Sequence, residues 1–184
     1  VRDYFKDNNI SKHANLNMVF KTVFMISLYL VPFILMLSGV ITNIWLIALC
    51  WVIMGVAMAG IGMAVMHDAN HGAYSKNETV NMLIGRVIGL IGGFAANWKI
   101  QHNILHHSYT NVDEYDEDIS APISWLRFSP NTEHKKAHKF QYLYAWFFYG
   151  FMTISWMTLK DFLQLSRYKK KGLTETQSKK FYPL

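Results

Sequence analysis

One cysteine, Cys50, is present among 184 residues, so an internal disulfide, a cysteine zinc finger and an iron–sulfur cluster are all excluded. Proline is also scarce, at four residues. Charge is the larger deficit. Asp, Glu, Lys and Arg make up only 16% of the chain, against about 25% in soluble domains. Residues 22–66 form a run of 45 without a single Asp, Glu, Lys, Arg or His. What is present is apolar: hydrophobic residues reach 52% and the mean hydropathy is +0.10. Such a composition excludes a disordered chain and argues against an ordinary soluble globule. The net charge of +6 would suit nucleic acid or an anionic membrane surface. The apolar runs decide for the membrane, and no nucleic-acid partner is expected.

A helix needs about 20 apolar residues to cross a bilayer, so the uncharged run holds two crossings and a turn. Gly39, Thr42 and Asn43 supply the turn, which predicts spans over 18–39 and 43–66. Pro32 falls inside the first and should kink it. Arg2, Lys6, Lys12 and Lys21 precede the first span, whereas the turn carries no charge. The positive-inside rule therefore places the N-terminus in the cytoplasm and the turn outside. The second span then returns to the cytoplasm at Met66, immediately before His67.

Two further apolar stretches are shorter or more interrupted. Residues 80–98 contain Arg86 and four glycines. Residues 140–159 are uncharged, but nine of these 20 are aromatic and basic residues flank both ends. Rings are enriched at headgroup level, so 140–159 is read as re-entrant or interfacial rather than as a true span, and 80–98, short and interrupted for a span, as in-plane or re-entrant. The polar, basic tail over 167–180 suits a helix or linker against anionic lipid. The expected architecture is all-α and polytopic: one transmembrane hairpin, membrane-associated segments and a cytoplasmic His-rich region in a single domain, 1–184.

Five of the eight histidines fall into two clusters. In His67-Asp68-Ala69-Asn70-His71 the i, i+4 spacing puts both imidazoles on one helical face about 6 Å apart. In His102-Asn103-Ile104-Leu105-His106-His107 the first pair again shares a face, with His107 turned about 100° away on an α-helix. Such sets can hold metal, and without thiolates iron and zinc are the main options. To form one site, both clusters must lie on the cytoplasmic side. His134 and His138 share the same spacing, but Lys135, Lys136 and Lys139 surround them. Added cationic charge opposes a metal ion, so these two read as surface histidines. His13 stands alone and reads as structural. Asp113, Glu114, Asp116, Glu117 and Asp118 read as a solvated loop rather than as metal ligands. Asp68 is the preferred acid to orient a ligand imidazole through its free N–H.

A span followed by His67-Asp68-Ala69-Asn70-His71-Gly72, then about 30 residues later by His102-x-x-x-His106-His107, resembles the membrane fatty acid desaturase superfamily. The run from Asn97 through His102 to Thr110-Asn111 and the three-residue gap in the second box look most like the acyl-lipid or front-end branch. The stearoyl-CoA branch usually has a gap of two. The resemblance implies two non-haem irons held by His67, His71, His102, His106 and His107. It also implies dioxygen as co-substrate, and an acyl lipid, acyl-CoA or acyl carrier as the substrate that gains a double bond. Cytochrome b5 or ferredoxin would supply electrons, since no His-Pro-Gly-Gly haem motif occurs. The family carries a third box of the type Gln-x-x-His-His, and no histidine follows His138. Either the site is completed otherwise or the sequence stops before that box. The second reading is adopted, and these residues alone are expected to be inactive. The rival readings are a related di-iron membrane hydroxylase or ketolase and, of another class, a zinc-dependent membrane hydrolase. Zinc hydrolysis needs about three protein ligands and a water, fewer than these boxes offer.

Overall fold

The computed structural model describes residues 2–121 and 123–174. Its regular structure is helical, with no strand among the described residues, as the composition predicts. The chain divides into two compact units, Val1–Ile91 and Gly92–Leu184.

In the first unit, α1 (Arg2–Asp7) precedes a helical hairpin of α2 (Leu16–Leu37) and α3 (Ile44–Ala64). These begin and end within about two residues of the predicted spans, and the exact starts are set by side-chain caps. The Asn15 carboxamide accepts the Met18 N–H at 3.0 Å, and the Asn43 carboxamide accepts the N–H groups of Trp45 and Leu46. Each side chain satisfies donors that the helix cannot pair internally. Gly39 closes α2 at φ +71, the left-handed conformation usual just past a helix end. Pro32 is buried, and α2 continues five residues beyond it.

Cys50, Met54, Ala57 and Ile61 are buried along one stripe of α3, and Val65 just past its end is buried too. Trp45, Leu49, Val52, Val56 and Met63 are exposed on its other faces. A helix apolar all round, with its outer face uncovered, belongs in lipid. Small residues allow the close helix contacts typical of bilayers: a Cβ on Gly60 would come within 2.5 Å of the Met25 Sδ. Two helices, Leu16–Leu37 and Ile44–Asn70, are long and apolar enough to cross a membrane. Glu78–Ile91 and Ala95–His106 would add a third only if counted together as one broken span.

After Val65, which leaves helical geometry for a single residue, the short α4 (Met66–Asn70) carries the first histidine cluster. It is followed by α5 (Glu78–Gly85) and a 3-10 turn, Arg86–Ile91, whose Ile88 and Ile91 are buried. The loop between α4 and α5 is pinned at several points. Asn81 accepts the Ser75 N–H and donates to the Ser75 carbonyl. Tyr74 donates to the Thr22 hydroxyl of α2 at 3.0 Å. His13 lies 3.3 Å from the Ala73 carbonyl, in keeping with a structural role.

The second unit starts with α6 (Ala95–Lys99), which continues as a π-helical stretch, Ile100–His106. The stretch 80–98 is thus not one element. Gly92, at φ +85, breaks it where a Cβ would meet the Met157 Cγ at 2.7 Å, a geometry reserved for glycine. The long final helix consists of α7 (Gln141–Ser155), a π-turn over Trp156–Lys160, and α8 (Asp161–Lys170). Asp161 anchors α6: it accepts the Phe94 N–H at 2.7 Å and the Asn97 side-chain amide at 3.0 Å. Ile100, Leu105 and Tyr168 form the buried apolar cluster of this unit. The outer face of α7 is uncovered, with Trp146 74% and Phe147 67% exposed. The basic tail is described only as far as Thr174; the remainder of 167–180 lies outside the described residues.

Candidate metal centre

The first cluster sits where α4 meets its cap. The rings of His67 and His71 are edge-on with centroids 4.6 Å apart, the separation expected for i, i+4 positions. His67 Nδ1 lies 3.2 Å from Asp68 Oδ1. Asn70, buried on the other face of α4, donates to the Gly85 carbonyl at 3.2 Å. A Cβ on Gly85 would lie 2.2 Å from the Asn70 Oδ1, so Asn70 keeps its place, and α4 its footing on α5, only because residue 85 is glycine.

The second cluster departs from the α-helical expectation. Over Ile100–His106 the chain winds as a π-helix, whose hydrogen bonds run i to i+5. Residue i+5, not only i+4, therefore comes back over residue i. His107 does not point away: its Nε2 is 3.3 Å from that of His102. The ring centroids are 5.4 Å apart for His102 and His106, and 4.7 Å apart for His102 and His107. All three imidazoles of the box gather on one side of the helix. Trp98, four residues before His102, covers that ring at 4.4 Å.

The acidic segment also departs from its sequence reading as a solvated loop. Asp116 has 0% exposure, and both its oxygens are used. They lie 3.1 and 3.2 Å from His106 Nδ1, and accept the N–H groups of Asn111 at 2.8 Å and Asp118 at 3.0 Å. Burial pushes the Asp116 pKa up, but the Asn111 N–H, the His106 ring and the Asp118 N–H outweigh it and leave the pKa below its ordinary value. The turn that delivers these donors requires Asn111 at φ 62, where asparagine is among the few tolerated residues. Asp118 lies alongside, its Oδ2 3.3 Å from His106 Nδ1. One ligand atom each from His102, His106 and Asp118 falls within 4.8 Å of the others. Asp68 is thus not the only acid on an imidazole, and Asp118 is a potential ligand that sequence reasoning passed over. The available signal was an acidic run just after a histidine box, with an asparagine suited to a left-handed turn between them.

Behind Asp118, polar contacts extend to α8. Gln101 donates to Asp118 at 2.7 Å. The buried Gln164 donates to Gln101 and to Glu117, both at 2.7 Å, and Arg167 pairs with Glu117 at 3.2 Å. The second box is therefore braced by the last helix through a relay of side chains.

His134 and His138 are used differently. His138 Nδ1 accepts the Lys135 N–H at 3.1 Å, so its Nε2 carries the proton and donates to the Ser124 carbonyl at 3.0 Å. Both nitrogens of that ring hold backbone, which leaves neither for a metal.

Helices long and apolar enough to cross a membrane, beside imidazole clusters gathered on helical segments, are the build expected of membrane proteins that hold metal through histidine. The chain belongs to the fatty acid desaturase family, whose sequence model matches residues 42–182. It is 33% identical over 85% of its length to an sn-1 linoleoyl-lipid 6-desaturase of Arthrospira platensis, covering 42% of that protein. It is 32% identical over 92% of its length to an enzyme of the same name from Synechocystis sp., covering 46%. An acyl-lipid (8-3)-desaturase of Physcomitrium patens is 32% identical over 89% of this chain and 34% of its own. The chain thus spans less than half the length of these relatives. No solved structure matches.

Proposed function

We propose that the complete protein is a membrane desaturase that introduces a double bond into the acyl chain of a lipid, with His67, His71, His102, His106 and His107 holding two non-haem irons. The observation that carries this reading is the π-wound second box, with three imidazoles on one side and Asp116 fixed behind His106. The donor chemistry fits iron: imidazole is a suitable ligand for it. A carboxylate on the far ring nitrogen is the usual support for a metal-bound histidine. Such metal, when bound, supplies the dioxygen chemistry that removes hydrogen from an unactivated C–H bond, which no side chain can do.

The residues of this chain have narrower tasks. Asp116 accepts the hydrogen bond of the His106 Nδ1–H and so leaves Nε2 as the ligating atom. Asp68 does the same for His67. Asn70 and Gly85 hold α4 at a fixed orientation, while Gln101 and Gln164 hold Asp118. Both boxes and the N-terminus lie on the cytoplasmic side in this reading, where a cytochrome b5- or ferredoxin-type donor has access. The multi-pass membrane location brings the acyl chain to the site by partitioning alone. Expression of the complete protein in a host that lacks polyunsaturated lipids tests the proposal. New double bonds should appear in membrane lipids, with about two irons per chain by metal analysis. Hydroxylated acyl chains, or one zinc per chain, would sink it.

A further inference from the structure

The second unit has a partly open cleft of about 870 Å³ between the loop following the second box and the last helix. Its lining changes character along that helix. Phe148, Phe151, Met152 and Trp156 line one part, and Lys160, Arg167 and Lys171 line the other. Lys160 lies over the Trp156 ring at 5.7 Å, so the aromatic part passes directly into the cationic one. Arg167 is paired with Glu117, which also accepts from Gln164. Glu114 is the other acid on the wall, so the three cations exceed the two carboxylates. Gln101 lines the cleft too, and its amide donates to Asp118 beside His106. One wall is therefore shared with the histidine cluster.

An occupant must match both halves: a long apolar chain for the aromatic part and an anionic group for the lysines. We propose that this cleft seats a bilayer lipid with an anionic head, its acyl chain along Phe148, Met152 and Trp156 and its phosphate between Lys160 and Lys171. The volume lies within the usual range for sites that enclose a small ligand. A lysine beside an anionic lipid head contributes about fivefold to binding. The inference rests on the desaturase reading only for the fate of the bound chain; the binding site itself does not require turnover.

The test uses the complete protein in nanodiscs of phosphatidylcholine doped with acyl-brominated phosphatidylglycerol or, separately, acyl-brominated phosphatidylcholine. Trp156 quenching is isolated by subtracting the signal of Trp156→Phe. Brominated phosphatidylglycerol should quench Trp156 at a lower mole fraction than brominated phosphatidylcholine. Lys160→Gln and Lys171→Gln should each reduce that preference about fivefold, and the double variant should abolish it. Lys160→Arg with Lys171→Arg should retain it, which separates a charge effect from misfolding. Equal quenching by the two lipids, or an unchanged preference in the double glutamine variant, would overturn the site. So would quenching of Trp156 by a water-soluble, phosphorylated, acyl-brominated thioester when brominated bilayer phosphatidylglycerol fails to quench. Lipid conversion is measured in parallel. Selective quenching without new double bonds upholds this site and refutes the desaturase proposal, whereas double bonds without selective quenching do the reverse.

Discussion

Replacing Asp116 by asparagine changes one oxygen to an amide and removes the charge, with almost no change in volume. In the native arrangement the two oxygens serve three groups: His106 Nδ1, the Asn111 N–H and the Asp118 N–H. An asparagine side chain must turn its NH2 toward one of the two backbone donors, which sit at 2.8 and 3.0 Å. One buried donor then loses its acceptor, at a cost of about 1–3 kcal/mol. The remaining bond to His106 becomes neutral, with roughly half the strength of the charge-assisted one. Together these predict a loss of about 2–4 kcal/mol in the stability of the 109–118 turn. The His106 ring is no longer held in the tautomer that leaves Nε2 free, and loss of such a partner typically lowers metal affinity about 10–100-fold. The assay is competition between the complete protein and a chelator for iron, with limited proteolysis of the turn as the stability readout. Asp68→Asn provides the internal comparison. Asp68 has a 36% exposed side chain, and water can replace what it loses, so its effect should be several-fold smaller. The reasoning is refuted if Asp116→Asn holds iron as the wild type does while His106→Ala loses it.

Alanine at any of His67, His71, His102, His106 or His107 should abolish double-bond formation in the complete protein, measured by gas chromatography of host lipids. His138→Ala should leave iron content intact while loosening residues 124–135 to protease, because its ring ties Lys135 to Ser124. Gly85→Ala should displace Asn70 and with it α4; the expected result is lowered iron content, with Asn70→Ala in the same background recovering part of it. Tyr168 is held well above the usual tyrosine range, first by burial and then by the Glu117 carboxylate. Its contribution to stability is therefore full below the unfolded value of about 10 and declines as pH rises above it. Tyr168→Phe should remove that alkaline decline in thermal melts, and an identical slope in the variant would contradict the assignment. In the topological reading, a cysteine at position 41 should be labelled from outside the cell and one at Asn111 should not; external labelling at 111 would reverse the orientation.

Much of this molecule is legible without coordinates. A run of 45 residues lacking every charged side chain and histidine has few homes other than a bilayer, and its single polar turn divides it into two helices whatever else the chain does. The asparagines before each helix fix the starts by local capping, which depends on a few neighbouring residues. The i, i+4 spacing of His67 and His71 likewise stands in the sequence because α-helical periodicity is a local property. The second box was not legible in the same way. Seven residues suited to an α-helix, Ile100–His106, wind instead as a π-helix, bringing His107 back onto His102. Nothing in their own identities announces this, since winding depends on what the helix packs against: Ile100 and Leu105 against Tyr168. The acidic run shows the same limit. Five carboxylates in six residues look alike as letters, and only the backbone turn at Asn111 selects Asp116 for burial on His106 while Glu114 stays exposed. Pattern along a chain reports which face is apolar and where a helix begins. Which polar atom is withdrawn from water, and onto which imidazole it closes, is decided by chain segments that meet only in the folded protein.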